Sequence, residues 1–282
     1  MPFSFALLAS TAKAKPVAAC QRLRPFSSLV TPAWLRESDR TSGQVRVIDC
    51  DSPVAFQRAH IPFATSFPGF SATNLKDTQG GTGVVGPREF QQLVQLLGVE
   101  KDSTIVFYDD AMGIGATRAW WVFLHYGFPK ENLKVSELLT LREGAPLKET
   151  GKLVGLEAVQ SALLRGTAEF VDSRTPAEYI GAQANGNRRV GHVPGAVNLD
   201  WKDAVSAEGN GRFKTKAELE ELVHQRKLTT NLDQPLITYC QRGVRAAHTA
   251  FVLHEILGYR DVKIYEDSMR QYLNRDDTAI EH

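Results

Sequence analysis

The chain is poor in cysteine and in net charge, and it contains no long apolar run. Its 282 residues include three cysteines, Cys20, Cys50 and Cys240, which show neither metal-ligand spacing nor an even count. We therefore expect no disulfide scaffold, and we expect a reducing compartment. Because 33 basic residues face 32 acidic ones, no bulk charge attracts nucleic acid or an acidic membrane. No apolar run approaches the roughly 20 residues of a membrane helix, so we expect no membrane association.

Acidic residues are missing from the beginning of the chain, where the first carboxylate is that of Glu37. The preceding stretch is rich in serine and alanine and carries four basic residues, Lys13, Lys15, Arg22 and Arg24. This composition is typical of an organelle transit peptide. We predict such a peptide over residues 1–30, with a mitochondrial destination. A plastid or cytoplasmic location, and a plain frayed terminus, remain open alternatives.

Two sequence blocks are repeated along the chain, whose length suits about two compact domains. Val47–Pro53 parallels Phe170–Pro176. Further on, Ile105–Asp109 parallels Leu236–Cys240, and the same spacing leads without a gap to Gly127 in the first copy and to Gly258 in the second. The repeat therefore indicates a duplicated domain in which Asp109 occupies the place of Cys240.

Each copy has the same order of patterns: a short β-rich apolar run, a loop, and then apolar residues at helical spacing. Strands that alternate with helices predict an α/β fold with two domains, each a mostly parallel central sheet flanked by helices. We place the first domain at residues 31–141, a linker at 142–152 and the second domain at 153–282. The aromatic residues Trp120, Trp121 and Phe251 are expected in the core.

Cys240 ends a predicted strand and precedes a helix that should begin near Ala246. The residues between them are Gln241, Arg242, Gly243, Val244 and Arg245. Ligands of α/β sheets bind at such strand ends, where the N–H groups leading into a helix favour an anion. A thiolate is stabilised there. The alternative, a buried structural cysteine, is the reading we adopt for Cys50.

The loop Cys-Gln-Arg-Gly-Val-Arg at 240–245 resembles the Cys-x-x-Gly-x-Arg loop of rhodaneses. The similarity extends to Val171–Arg174, to Gly191–Asn198 and to the Gly-Tyr pair at 258 and 259. In the first copy, Tyr108–Asp110 followed by Arg118–Trp121 resembles the inactive half of tandem thiosulfate and 3-mercaptopyruvate sulfurtransferases. The resemblance covers residues from about 30 to 282.

The resemblance implies a sulfurtransferase in which Cys240 carries sulfur as a persulfide. Sulfane sulfur would pass from thiosulfate or 3-mercaptopyruvate to a thiophilic acceptor such as cyanide or a thiol, with thioredoxin among the candidates. The backbone of residues 241–245 would hold the persulfide, while Arg242 and Arg245 attract the donor. The resemblance implies no metal or organic cofactor, and we expect a monomer.

The second copy has an insertion around Gly181–Val190 that includes Arg188 and Arg189. One of these arginines is a candidate contact to the far end of the donor, and a solvated surface loop is the equal alternative. His192 has a counterpart, His60, in a copy that lacks the loop cysteine. We therefore expect this histidine to bond the strand-end carboxylate, Asp172 or Asp49, rather than to act as a base. Asp172 and Arg174 are expected to be structural.

Several positions depart from the family pattern. Glu178 stands where animal-type enzymes usually carry an arginine, and the large Gln241 and Arg242 suit dianionic thiosulfate better than 3-mercaptopyruvate. Glu266–Met269 replaces the usual Gly-Ser-Trp, which we expect to affect only the rim of the site.

Two rival functions remain open. Cysteine-dependent phosphatases also place a thiolate before a helix with an arginine, but with five intervening residues, whereas four separate Cys240 from Arg245. A non-enzymatic sulfur-relay module is the second rival.

Overall fold

The computed structural model describes residues 28–38, 44–76, 84–100, 104–135, 151–207 and 211–282. The predicted transit peptide and linker lie almost wholly outside these residues, so both stay predictions. Within the described ranges, no helix combines the length and the apolar character that crossing a bilayer requires.

The first domain is a four-stranded parallel sheet with helices around it. Its strands are β1 (Val45–Asp49), β2 (Ala64–Ser66), β3 (Thr104–Tyr108) and β4 (Leu133–Val135), in the spatial order β2-β1-β3-β4. Its helices are α1 (Pro32–Glu37), α2 (Pro53–Arg58), α3 (Pro87–Leu96) and α4 (Ile114–His125), with short 3₁₀ turns at Ala72–Asn74 and Lys130–Asn132.

The second domain repeats this arrangement and adds one strand at the edge. Its strands are β5 (Leu153–Val154), β6 (Glu169–Asp172), β7 (Val197–Asn198), β8 (Leu236–Tyr239) and β9 (Val262–Tyr265), all parallel, in the order β5-β9-β8-β6-β7. Its helices are α5 (Leu156–Arg165), α6 (Pro176–Tyr179), α7 (Lys216–Gln225), α8 (Val244–Phe251) and α9 (Ser268–Tyr272), with a 3₁₀ turn at Trp201–Ala204.

The predicted fold class is confirmed, and the two central strands occupy equivalent places. β3 lies between β1 and β4, and β8 lies between β6 and β9. Asp109 follows β3 and Cys240 follows β8. Because the carboxyl ends of central parallel strands open towards the ligand-binding edge of the sheet, the two residues mark equivalent sites.

Local capping explains why the short helix after the first repeated strand of each domain, α2 or α6, begins where it does. The Ser52 hydroxyl accepts a hydrogen bond from Ala55 N–H, and Pro53 opens α2. Thr175 caps α6 in the same way through Glu178 N–H, and Pro176 follows it. A side-chain cap before a proline fixes the start of a helix, so each strand end is followed by a sharp turn.

The two domains pack through α4 and α8 and share one hydrophobic core. Trp120 of the first domain meets Phe251 of the second edge to face, with ring centroids 5.3 Å apart. Trp120, Trp121 and Phe251 are fully buried, which confirms the core prediction. The hydrophobic core of the first domain therefore continues across the interface into the second.

The gapless alignment of the second repeat block is wrong in detail. α8 begins at Val244, directly after Gly243, rather than near Ala246. The loop from Asp109 to Gly113 is one residue longer than the loop from Cys240 to Gly243. The second copy regains this residue in a π-helical continuation of α8 at Val252–Leu257. An inserted residue in a helix is commonly absorbed in this way, and the apolar spacing alone did not indicate it.

Candidate active site

In the first domain, the loop after β3 is filled by its own carboxylate. Asp109 Oδ1 accepts hydrogen bonds from Ala111 N–H at 2.8 Å and Gly113 N–H at 2.7 Å, and Oδ2 accepts one from Ala116 N–H at 2.7 Å. Burial raises the pKa of Asp109, and these backbone bonds act to lower it. This end of the sheet therefore gathers N–H groups around an anion, and in the first domain that anion belongs to the protein.

In the second domain, Cys240 occupies the same position. The residue is buried, with 1% of its surface exposed. Its N–H group and that of Gly243 both donate to Ser268 Oγ at 3.1 Å, and the Ser268 hydroxyl in turn donates to Tyr265 O at 2.8 Å. The N–H group of Gly243 is thus engaged with a side chain, and the remaining N–H groups of residues 241–245 stay candidates for holding a persulfide.

Gly243 is required by its conformation and by its neighbour. Its φ of +78° lies in the left-handed region, which glycine adopts without strain. A Cβ atom at this position would also lie 2.8 Å from both the backbone oxygen and Oε2 of Glu266. Any side chain here would displace the loop that carries Cys240.

The segment Glu266–Met269 is not at the rim of the site, which corrects our expectation. All of its residues except Asp267 are buried. Met269 N–H donates to Cys240 O at 3.0 Å, and Arg270 N–H donates to Gln241 O at 3.1 Å. The segment after β9 therefore holds the Cys240 loop from behind, a long-range contact that the local sequence does not encode.

Arg245 forms a bidentate ion pair with Glu178, at 2.7 Å from Nη1 to Oε2 and 2.9 Å from Nη2 to Oε1. The Glu178 carboxylate also accepts hydrogen bonds from Thr175 N–H and from Asn185 Nδ2. The attraction of a donor by Arg245 stays a prediction. A donor would have to compete with Glu178, because this carboxylate already compensates the guanidinium charge.

The ion pair has clear electrostatic consequences. Burial acts to raise the pKa of Glu178, but Arg245 and Thr175 outweigh it and hold the value at about 2. Burial acts to lower the pKa of Arg245, while Glu178 and the Cys240 thiolate together raise it. Cys240 and Arg245 are therefore within electrostatic range of each other.

The insertion arginines are both bonded to the C-terminal segment. Arg188 pairs with Asp276 at 3.0 Å on the surface. Arg189 donates to the backbone oxygens of Thr278 at 3.0 Å and Tyr272 at 3.1 Å. A role for either guanidinium in donor binding remains a prediction that requires these bonds to break.

Polar residues of the insertion, rather than its arginines, line a cavity of about 490 Å³ beside the Cys240 loop. Gln241 and Asn187 exchange two amide hydrogen bonds, at 2.9 Å and 3.1 Å, so the side chain after the cysteine is fixed in place. Arg242 is exposed at the same cavity. The full lining is Asn185, Gly186, Asn187, Gln241, Arg242, Arg270 and Asn274.

His192 does not bond the strand-end carboxylate, so that prediction is wrong. Its Nδ1 atom lies 2.9 Å from Tyr179 O, and its ring stacks on Tyr179 with centroids 3.6 Å apart. His60 repeats this arrangement with Phe56, so the histidine is structural in both copies. Asp172 instead forms a buried ion pair with Arg174 at 2.6 Å, as expected for a structural pair.

Cys50 is buried against the first sheet, and burial together with the charge of Asp109 raises the pKa of its thiol. These surroundings favour an inert thiol, in agreement with the structural reading. Cys20 lies outside the described residues. In the part of the chain that the structure describes, no cluster of His, Cys, Asp or Glu side chains is placed to hold a metal ion.

Three charged residues meet at the domain interface, and their pairing has no signal in the local sequence. Arg118 bonds both carboxylate oxygens of Glu266, at 2.7 Å and 2.5 Å, and Lys76 lies 3.4 Å from the same carboxylate. The ammonium group of Lys76 also donates to Arg242 O at 2.6 Å. Partners separated by more than 140 positions leave no local signal in the sequence.

Comparison with known families agrees with this architecture. A model described as a rhodanese-like domain matches residues 31–137 and 156–275. The chain belongs to the rhodanese family. Among its rhodanese relatives, the thiosulfate sulfurtransferase of Corynebacterium glutamicum is 29% identical over 287 residues, covering 90% of each chain. The putative thiosulfate sulfurtransferase SseA of Mycobacterium tuberculosis is 30% identical, covering 87% of this chain and 88% of its own.

A sulfur carrier protein and a solved structure are also similar to this chain. The sulfur carrier protein TtuD of Thermus thermophilus is 28% identical over 277 residues, covering 87% of this chain and 93% of its own. Among solved structures, wild-type EanB superposes with a TM-score of 0.74 at 18% identity, covering 90% of this chain and 69% of that one. At this identity, the likeness to EanB shows the shared fold alone.

Proposed function

We propose that this rhodanese is a sulfurtransferase that works through a persulfide on Cys240, with thiosulfate as its preferred donor. The Cys240 thiolate attacks the outer sulfur of thiosulfate, a new S–S bond forms, the original S–S bond breaks, and sulfite leaves with the electron pair of that bond. A thiophilic acceptor such as cyanide then attacks the terminal persulfide sulfur. Thiocyanate leaves and the thiolate is restored, so sulfur and charge balance over the cycle.

The observation that carries the proposal is the equivalence of Asp109 and Cys240. The first domain holds a carboxylate in the loop at the end of its central strand. The second domain places a thiol at the same strand end, before the N-terminus of α8. The first domain supplies its own anion at this place. In the second domain the place is open to the Cys240 thiolate, to its persulfide and to the thiosulfate donor, all of which are anions.

Thiosulfate is favoured as donor by the groups that face the cavity beside the loop. Arg242 is exposed there, so its guanidinium charge suits the thiosulfate dianion better than the singly charged carboxylate of 3-mercaptopyruvate. Relatives named thiosulfate sulfurtransferases point in the same direction. 3-Mercaptopyruvate is the alternative donor.

The deciding experiment compares thiosulfate and 3-mercaptopyruvate in steady-state thiocyanate formation with cyanide. We expect turnover with a higher kcat/KM for thiosulfate, its loss with both donors in Cys240→Ser, and near-normal rates in the matched control Cys50→Ser. Comparable activity in Cys240→Ser would refute the assignment.

The same preparation tests the rivals. Release of phosphate from an aryl phosphate without any thiocyanate formation would favour the phosphatase. The shorter loop argues against that outcome, because four residues separate Cys240 from Arg245 where such phosphatases have five. A persulfide that forms on Cys240 only with a protein partner would favour the sulfur-relay module, the role named for the Thermus relative.

We further propose mitochondrial import through residues 1–30, and action as a monomer with thioredoxin or another thiol as acceptor. A fluorescent protein fused behind residues 1–30 tests import. Diffuse cytoplasmic signal, or signal in plastids, would contradict it.

A further inference from the structure

The charges around Cys240 are distributed unevenly between the two domains. In the second domain, Arg245 is compensated by Glu178, and the side chain of Arg242 is exposed to solvent. Across the interface, Lys76 and Arg118 of the first domain share the single carboxylate of Glu266. Two cations on one carboxylate leave a positive charge beside the Cys240 loop.

Within this interface cluster, defined as Lys76, Arg118 and Glu266, the compensated member is Arg118. Its guanidinium is fully buried and bonds both oxygens of Glu266 as well as Leu75 O. Lys76 is the weaker partner of Glu266, at 3.4 Å, and the more exposed one, with 17% of its side chain accessible. The unbalanced charge therefore resides mainly on Lys76.

The ammonium group of Lys76 has hydrogen-bonding capacity to spare. It has three donors, of which one is directed to Arg242 O and one to Glu266 Oε1. Arg242 O lies in the Cys240 loop, two residues beyond the thiol. Burial lowers the pKa of Lys76, whereas the charges of Glu266 and of the Cys240 thiolate act to raise it. The hydrogen bond to Arg242 O thus places the Lys76 ammonium group against the Cys240 loop.

We propose that Lys76 is a binding residue of the active site: the first domain, although it lacks a loop cysteine, supplies the cation that attracts the anionic donor to Cys240. The inference rests on the proposed function for the identity of the donor. The electrostatic role itself applies to any anion that approaches the Cys240 sulfur.

Alkylation of Cys240 tests the charge effect without turnover. Iodoacetate is an anion and iodoacetamide is a neutral reagent of similar size, so the ratio of their rates reports the local field. Rates are followed on the peptide that contains Cys240 by mass spectrometry. We expect Lys76→Met, which keeps most of the apolar stem, to lower the iodoacetate-to-iodoacetamide ratio on the order of tenfold. Lys76→Arg, which keeps the charge, should retain the ratio.

Lys263→Met is the matched control, because Lys263 is also partly exposed and paired with one acid, Asp261, at 3.1 Å. It lies on β9, outside the residues placed in the site, and should leave the ratio unchanged. If Lys76 only ties the domains together, Lys76→Met changes both alkylation rates equally and the ratio stays constant. A constant ratio in Lys76→Met would overturn the proposal. A fall of the iodoacetate-to-iodoacetamide ratio in Lys263→Met as large as that in Lys76→Met would also overturn it.

Donor kinetics provide the second measurement. With active wild-type enzyme, Lys76→Met should raise the KM for the thiosulfate dianion on the order of tenfold and raise it less for a monoanionic alkyl thiosulfonate. If the wild type fails to use thiosulfate, the proposed function falls, while the alkylation ratio still decides the role of Lys76. Should Lys76→Met not fold, judged by thermal unfolding, Lys76→Gln replaces it in both measurements. An unchanged ratio and KM in a folded variant would refute the inference.

Discussion

At the scale of single residues, reactivity at Cys240 depends on which neighbouring charges are already paired. Arg245 carries a full charge within range of the thiol, yet Glu178 neutralises it through two hydrogen bonds. Lys76 shares Glu266 with Arg118 and is compensated only in part. Of these two cations Lys76 is the less compensated, and we expect an anion at Cys240 to respond more to Lys76 than to Arg245.

Glu178→Gln should uncover the charge of Arg245. We expect the KM for thiosulfate to fall by roughly tenfold, and the free energy of unfolding to fall by about 1–3 kcal/mol, because the buried pair loses its charge-assisted bonds. Steady-state kinetics and chemical denaturation measure the two effects. The control Glu220→Gln removes an exposed acid that pairs with Lys216 at 3.6 Å and should change neither value. A KM that rises in Glu178→Gln would contradict the compensation model.

Acid stability follows from the same pair. The pKa of Glu178 is about 2 in the folded chain, below the ordinary 4.5, so the unfolded chain binds the proton first as the pH falls. The contribution of the pair is full above about pH 4.5 and is lost as the pH falls towards 2. The difference in unfolding free energy between wild type and Glu178→Gln should therefore shrink over that range. A constant difference would show that the carboxylate is not ionised in the fold.

Gly243→Ala and Gly258→Ala separate conformational strain from steric contact. Both glycines have positive φ, but only at Gly243 would a Cβ meet another atom, at 2.8 Å from Glu266. We expect both variants to lose roughly 1–2 kcal/mol of stability from the left-handed conformation. Only Gly243→Ala should also lower turnover, on the order of 100-fold, through displacement of the Cys240 loop. Equal activities in the two variants would rule out the contact with Glu266 as a constraint on the loop.

At the scale of secondary structure elements, the repeated order of strand, loop and helix was predictable from apolar spacing. The equivalence of Asp109 and Cys240 was also visible in the sequence. Local patterns did not reveal the π-helical turn at Val252–Leu257. This turn accommodates the one extra residue of the second copy and keeps the apolar face of the helix. They also did not reveal the support given by Ser268, because that residue reaches the loop across 28 positions of the chain.

Helix α8 carries a histidine that is fully buried at the domain interface. His248 Nε2 lies 3.2 Å from Met112 O of the first domain, and the rings of Trp201 and Phe213 flank the imidazole. Burial lowers the pKa of His248 to about 4. Protonation in the fold is thus disfavoured relative to the unfolded chain.

Stability should consequently fall as the pH drops from about 6.5 towards 4, because the unfolded chain binds the proton first in that range. Replacement by glutamine, His248→Gln, removes the titrating group and should flatten this part of the curve. Denaturation midpoints at a series of pH values measure the slope. A slope identical in wild type and His248→Gln would show that another group controls acid sensitivity.

At the scale of the whole molecule, the two domains share one core and an interface built from α4 and α8. Ion pairs of the interface cluster join the first domain to Glu266, and the Lys76 ammonium group donates a hydrogen bond to Arg242 O in the Cys240 loop. Neither feature could be predicted, because a repeat in sequence says nothing about how its copies pack. Predicted boundaries at 31–141 and 153–282 divide the sequence, yet the buried surface crosses between the two parts.

A shared core predicts a single cooperative unfolding transition for both domains. Phe251→Ala removes a fully buried ring that contacts Trp120, and it should cost about 3–5 kcal/mol while the transition remains single. Leu164→Ala, at a residue that is 88% exposed, should shift the midpoint little. Two separate transitions in calorimetry would mean that the domains unfold independently.

The most direct test of the central claim is the mass of the Cys240 peptide after incubation of the protein with thiosulfate. We predict one additional sulfur atom on that peptide, its removal by cyanide, and no addition on the peptide that contains Cys50. An unmodified Cys240 under conditions in which the protein forms thiocyanate, or a persulfide found on another cysteine, would contradict the account.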